Sequence, residues 1–263
     1  MQISGNNKKL NKFVLYLQNK INKIFINNLN KKLSTKLKNK KKYDVVTNLD
    51  IQIEKFLKQE IKKKYPNHNI NGEELKYKKN NSKFTWYIDP IDGTKGMLIG
   101  LTTWANMFGL FESNNAICSL VNYPLMKKFY FTFKNKSFVN QNNKVKVIKS
   151  SKIQKLNKAR IVTNSIHTLN NKYLFNFFKN FDGLFKITGA DSYNFCLIAE
   201  GKVDVLIEDK LKIVDIMPLI SLVENSGGVI TDWKGNKNFK KGKVLVTSNL
   251  KLHKEILKKL KKL

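Results

Sequence analysis

Arginine is all but missing from this chain. Of its 50 basic residues only Arg160 is an arginine, and the rest are lysine. The formal charge of +31 at pH 7 points toward nucleic acid. The missing guanidinium weighs against a specific complex of that kind, because base readout and planar phosphate clamping lean on its fork. Lysine spread along the chain, beside abundant asparagine and isoleucine, reads as surface composition following an A/T-rich coding bias. Such a surface draws anions weakly and bears on association, not on fold. Cysteine is scarce too. Cys118 and Cys196 both sit inside apolar runs, which excludes a disulfide framework and reads as a reducing compartment. No apolar run reaches the roughly eighteen residues of a membrane span, so no membrane partner is expected. Acids number only 19 in 263 residues, and none falls within 1–43. In that acid-free stretch Phe13, Leu17, Ile21, Ile24 and Leu29 recur at helical spacing. We read it as a structural helix. An organellar presequence is the competing reading, weakened by lysine standing where arginine is usual, and no secretory pattern follows Met1. A cytoplasmic location is expected. With 41% apolar residues, 17 Phe and 9 Tyr, the composition is globular. The length suits one unit over 1–263 in two packed halves, about 1–150 and 151–263.

Because acids are rare, their positions are informative. Trp86-Tyr87-Ile88-Asp89-Pro90-Ile91-Asp92-Gly93-Thr94-Lys95 is an apolar run that ends in two aspartates. Pro90 fixes its own φ and holds Asp89 extended, and Gly93 permits a tight turn that folds Asp92 and Thr94 back beside Asp89. Carboxylates so placed suit a hard cation such as Mg²⁺, held by one or two carboxylates plus substrate phosphate. An ordinary strand-to-turn with solvated aspartates is the alternative. Other acids lie at similar edges: Asp44 and Asp50 around Val46-Thr47, Glu73-Glu74 after Gly72, and Asp215 after Ile213-Val214.

These segments resemble the inositol monophosphatase family of Mg²⁺-dependent phosphatases. Residues 88–94 look like its first signature and Gly72-Glu73-Glu74 like its glycine-diacid loop. Residues 46–50 look like its Val-Thr-x-x-Asp element, and the stretch through Asp215 is a looser match to its C-terminal signature. The likeness covers roughly residues 40–250. It implies an α/β layered helix–sheet–helix–sheet–helix sandwich, a homodimer, two or three Mg²⁺ ions, and hydrolysis of a small phosphate monoester by metal-activated water. By resemblance, Glu73, Asp89 and the Ile91 carbonyl bind one ion, and Asp89, Asp92 and Asp215 a second. Asp50 and Thr94 orient and deprotonate the attacking water, with Thr47 holding Asp50; helix capping is the competing reading of Asp50. Gly93 and Thr94 offer backbone N–H groups to the phosphate. The chemistry agrees, since a phosphate monoester is a slowly hydrolysing dianion that metal ions neutralise.

Gly189, Asp191 and Glu208 fall where family members contact the alcohol. Two acids there suit a cationic alcohol, and the likeness is greatest to the histidinol-phosphatase branch. L-Histidinol phosphate ranks first as substrate, inositol monophosphate second, and a 3'(2'),5'-bisphosphate nucleotide third. A helix cap is the competing reading of Asp191. The rival from another class is a basic nucleic-acid-binding or scaffold protein that has lost catalysis, which the intact acid set argues against. Two departures stand out. Val214 precedes Asp215 where Trp or Tyr is usual, and Met217-Pro218 replace small residues. A proline is still compatible with a first helical turn. The family's lysine before the Val-Thr element has no clear counterpart within 39–42.

Periodicity predicts a helix over 48–63, with Thr47 or Asn48 at its cap. Strands follow over 85–89, 104–111, 115–121 and 128–133 as an antiparallel meander. Residues 75–83 read as an exposed loop and 134–151 as polar and weakly strand-like. Strands over 159–163, 184–188 and 203–207 then alternate with helices over 169–180 and 192–200. A helix opening at Asp215, strands over 229–231 and 244–247, and a lysine-rich tail helix over 251–263 complete the reading.

Overall fold

The computed structural model describes residues 3–28, 31–39, 44–76, 79–165 and 172–260. Leu29, Lys78, the 40–42 lysines, the start of the 169–180 helix and the last three tail residues lie outside them. The chain opens with α1 (Ile3–Ile26), β1 (Thr35–Asn39) and β2 (Asp44–Thr47). Then come α2 (Asn48–Lys64), β3 (Asn69–Gly72), β4 (Phe84–Asp92) and α3 (Thr94–Leu98). A meander follows: β5 (Ala105–Glu112), β6 (Asn115–Tyr123), β7 (Lys128–Phe133), β8 (Lys136–Gln141) and β9 (Lys144–Ile148). The second half holds β10 (Arg160–Thr163), α4 (Lys172–Lys179), β11 (Leu184–Ile187), α5 (Asp191–Ala199) and β12 (Val205–Glu208). It closes with α6 (Ile213–Ile216), a 3-10 turn (Met217–Leu219), α7 (Ile220–Ser226), β13 (Val229–Thr231), β14 (Val244–Thr247) and α8 (Leu250–Leu260).

Three sheets result. β1 and β2 pair antiparallel with each other, β3 to β9 form a seven-stranded sheet in sequence order, and five strands run β11-β10-β12-β14-β13. Side-chain alternation assigns their faces. Trp86, Ile88, Phe108 and Leu110 face α1 and α2, joining Leu17, Ile21, Ile53 and Leu57 in one core. Met107, Val121 and Tyr130 face the opposite way, onto Phe195, Ile198, Leu222 and Val223 of α5 and α7. Leu206, Val244 and Val246 meet those helices from the second sheet. Val205, Ile207 and Leu245 instead point outward, onto Leu174, Phe178, Leu252 and Ile256 of α4 and α8. The layers are therefore helix, sheet, helix, sheet, helix, as the resemblance implies.

Five strands differ from the sequence reading. β1, β2 and β3 were not expected, since each is only four or five residues long. Residues 134–151 contain two full strands, not a weak one. Their turns are two-residue loops, Lys134-Asn135 and Asn142-Asn143, all at positive φ. Such turns match the right-handed twist of the flanking strands, and asparagine tolerates them better than most residues that carry a side chain. β9 alternates as Lys144-Val145-Lys146-Val147, yet four of its five side chains are exposed, so the alternation there does not mark a buried face.

Candidate active site

β4 carries the central aspartates, and its register explains how both face one way. Asp89 pairs with Met107 but Asp92 with Ala105, so three steps on β4 span two on β5. This bulge inserts one residue. Without it, residues three apart would point to opposite faces; with it, Asp89 and Asp92 line the same cavity. The displaced Pro90 carbonyl accepts from Asn106 Nδ2 at 2.6 Å. Asn106 Oδ1 accepts from Asn122 Nδ2 (3.1 Å), and Asn122 Oδ1 from Gln18 Nε2 of α1 (3.1 Å). A chain of buried amides thus runs from the first helix to the bulge.

Glu73 is placed by a residue the sequence reading passed over. Glu54 of α2 is fully buried, and its carboxylate accepts from the backbone of Glu74 (2.7 Å) and Leu75 (2.9 Å). It lies so close to Gly72 that a Cβ there would meet its Oε1 at 2.1 Å. Only glycine allows the chain to wrap the buried carboxylate and present Glu73 to the cavity. Asp215 sits in the first turn of α6, where its Oδ2 accepts from the backbone N–H of Lys212 at 2.6 Å. The helix therefore opens two residues before Asp215 and not at it. Pro218 follows in the 3-10 turn and packs on β5, where a Cβ on Gly109 would come within 2.9 Å of its Cα. That close approach seats α6 beside β4.

One carboxylate oxygen from each of Glu73, Asp89 and Asp215 lies within 4.8 Å of the other two. Asp92 stands apart from this trio, because its Oδ2 is held by the Ser192 backbone N–H (3.0 Å) and hydroxyl at the start of α5. The electrostatics follow from crowding. Burial, then Glu73, Asp92 and Asp215, drives the Asp89 pKa well above the usual carboxylate range. Asp215 is pushed up to about 8 by burial and by Glu73 and Asp92. Burial also raises Glu73, but Lys212 and Lys38 outweigh it and leave its pKa low. Lys212 Nζ is 2.7 Å and Lys38 Nζ 2.9 Å from Glu73 Oε1. Asp89 Oδ1 is buried with no hydrogen-bond partner. An all-oxygen donor set with an orphaned carboxylate oxygen at its centre fits a hard divalent cation.

Asp50 is buried and uses its two oxygens differently. Oδ2 accepts from the Thr47 backbone at 2.8 Å and from the Thr47 hydroxyl, closing a capping box at the start of α2. Oδ1 lies 3.3 Å from Thr94 Oγ1, whose single proton has two acceptors within reach, Asp50 Oδ1 and the Ile91 carbonyl at 2.9 Å. Burial raises the Asp50 pKa against the Thr47 bonds. Gly93 turns the chain into α3 at φ 81°, a left-handed conformation that favours glycine.

Beyond Thr94 the cavity, about 470 Å³, is walled by Asn164, Gly189 and Asp191. Asp191 is the first residue of α5 and makes no capping bond; Ala190 occupies the cap. Its Oδ1 is shielded and unpartnered. Burial raises its pKa, with Asp92, Glu208 and Asp215 adding to the rise. Glu208 is buried at the end of β12 and accepts from the Asn164 backbone N–H. It stands behind the wall and not on it. A larger cavity of about 800 Å³ lies between α4 and α8, walled by apolar residues such as Leu156, Phe177 and Phe181 together with polar ones such as Lys155, Asp182 and Glu255, and none of these site acids lines it. Sequence reasoning missed Glu54, Asn106, Ser192, Lys38 and Lys212. Of these, only Gly72 beside two acids offered a local clue, to the close approach of Glu54.

Residues 6–263 match the sequence profile of the inositol monophosphatase family. The chain belongs to that family. Several of its relatives are named phosphatases, and two from Neisseria meningitidis, 30% identical over 224 residues, are named putative Nus factors. One of the former is a chloroplastic bifunctional phosphatase of Arabidopsis thaliana, 29% identical over 210 residues, covering 75% of this chain and 60% of the relative. The chain thus spans well under two thirds of that protein. Another is a histidinol-phosphatase of Mycobacterium tuberculosis, 26% identical and covering 82% of this chain and 84% of the relative. Among solved structures, an inositol monophosphatase/NADP phosphatase in complex with Mg²⁺ and phosphate superposes with a TM-score of 0.83 at 19% identity, covering 97% of this chain and 95% of the other. Among the described residues, no helix is long and apolar enough to cross a membrane.

Proposed function

We propose that this chain is a Mg²⁺-dependent phosphomonoesterase whose substrate is L-histidinol phosphate. The observation that carries the reaction is the Glu73–Asp89–Asp215 cluster with its orphaned Asp89 oxygen. Glu73, Asp89, Asp215 and the Ile91 carbonyl would hold Mg²⁺, with Asp92 on the side toward α5. Bound there, Mg²⁺ supplies charge neutralisation of the phosphate and a lowered pKa for its water. The chain's own groups do the rest. Thr94, donating to Asp50, accepts from the attacking water and aligns it. The proton passes through the Thr94 hydroxyl to Asp50, whose raised pKa makes it the better base. Gly93 and Thr94 present backbone N–H groups to the phosphate.

The substrate follows from the alcohol end. Asp191 offers an unpartnered acceptor at the wall, and Glu208 adds negative charge from behind. A cationic alcohol satisfies both. Neutral inositol leaves a buried carboxylate unpaired, which disfavours it. The Mycobacterium tuberculosis relative supports this reading by its name. The test is a kinetic panel of histidinol phosphate, inositol monophosphate and a 3'(2'),5'-bisphosphate nucleotide, each with Mg²⁺ and with chelator. Chelator should abolish turnover, Asp89→Asn should lower kcat by three orders of magnitude or more, and histidinol phosphate should have the highest kcat/KM. Asp191→Ala should narrow its lead over inositol monophosphate; an equal loss for both esters would remove the histidinol reading and leave the phosphatase reading standing. The family likeness also supports a homodimer, which light scattering would check.

A further inference from the structure

We propose that Lys212, seconded by Lys38, is a built-in counter-cation of the acid cluster: its ammonium holds Glu73 when no divalent ion is bound and yields it when one binds. The inference rests on the metal reading above. Both ammonium groups reach the same atom, Glu73 Oε1, at 2.7 and 2.9 Å. They come from segments far apart in sequence. Lys38 lies on β1 and also grips Glu74. Lys212 precedes α6 and lies 3.7 Å from Asp44 of β2. Together they tie the β1–β2 pair and α6 to the loop that carries Glu73. Neither ammonium contacts Asp89, whose Oδ1 has no partner. The ammonium groups therefore meet the metal-free cluster at one corner only, Glu73. A divalent ion bridging Glu73, Asp89 and Asp215 has to compete for the corner the lysines hold. Lysine suits that task, being a compact charge on a flexible stem that swings aside, where an arginine fork would lock. Lys212 is half exposed, so it has room to move.

Lys212→Gln isolates the effect, because the backbone N–H that binds Asp215 remains. Calorimetric titration of the metal-free protein with MgCl₂, without substrate, should show binding about five- to tenfold tighter in Lys212→Gln than in the unmodified chain. In chelator the variant should have the lower Tm, with the gap closing at saturating Mg²⁺. Equal or weaker Mg²⁺ binding in the variant would overturn the inference while leaving the phosphatase reading intact; no Mg²⁺ binding by the unmodified chain would overturn that reading first. A second measurement needs no substitution. Acetylation of Lys212, followed by peptide mass spectrometry, should speed up several-fold when MgCl₂ is added. An unchanged or slower rate would overturn the proposal.

Discussion

Arg160 is the single arginine among fifty basic residues, and its guanidinium explains its survival. It grips the fully buried Asp204 with two nitrogens, Nε at 2.7 Å and a terminal nitrogen at 3.0 Å, and reaches the Gly201 carbonyl at 2.8 Å. An ammonium offers one point charge where this site uses three donors in a plane. Arg160→Lys should therefore lower the unfolding free energy by about 1–3 kcal/mol, read from the urea midpoint. The same substitution at an exposed lysine-rich surface would cost nothing measurable. Asp50 teaches a related point. Helix cap and catalytic base stood as rival readings of that residue, yet one oxygen caps α2 and the other faces Thr94. A carboxylate has two oxygens, so the cap occupies one and leaves the other for the base role proposed above.

At the scale of elements, β4 shows what sequence pattern conveys and what it omits. The apolar run, the two aspartates and the glycine turn are legible because each is a local choice of residue type. The bulge is not, since it depends on the register against β5. Nor is its support legible: Asn106, Asn122 and Gln18 lie 16 to 104 positions apart along the hydrogen-bonded chain. Replacing Asn106 with leucine would leave the Pro90 carbonyl buried and unpaired, at a cost of about 1–3 kcal/mol. It should also raise the Mg²⁺ concentration needed for half-maximal turnover, because the bulge sets Asp89 and Asp92 on one side. A second element carries a pH signature. His253 on α8 is buried between the hydroxyls of Thr231 (2.8 Å) and Thr247 (2.9 Å). Burial lowers its pKa to about 4 from an ordinary 6.5. Between those values the unfolded chain holds the extra proton, so stability rises with pH. The contribution is full above pH 6.5 and drains away as pH falls toward 4, by at most about 3 kcal/mol. His253→Gln should flatten that part of the stability–pH curve, measured by urea unfolding at several pH values.

For the molecule as a whole, the layered architecture was legible because apolar residues recur near every fourth position in α1 and α2, and β4 to β7 are aromatic and β-branched runs separated by turn residues. The edge strand β9 was read only as weakly strand-like, since its Lys-Val alternation is short, flanked by polar residues and exposed on both faces. The site's acids could be named without being assembled. Sequence marks Glu73, Asp89 and Asp215 as edge residues, but the contacts that sort them, Ser192 on Asp92 and Lys212 on Glu73, span 100 and 139 positions.

Those spans set the order of events as the chain matures. When the first 150 residues have left the ribosome, Glu73, Asp89 and Asp92 are present, but Asp215, Ser192 and Lys212 do not yet exist. A half-made chain therefore holds these acids without the partners that sort them. Contacts of such length close late, after local pairing has finished. Cation affinity should then emerge at the final docking of α5 and α6. In a refolding experiment, the gain of Mg²⁺ binding should trail the recovery of β-sheet dichroism, and the ion would serve as a clock for the last step of folding.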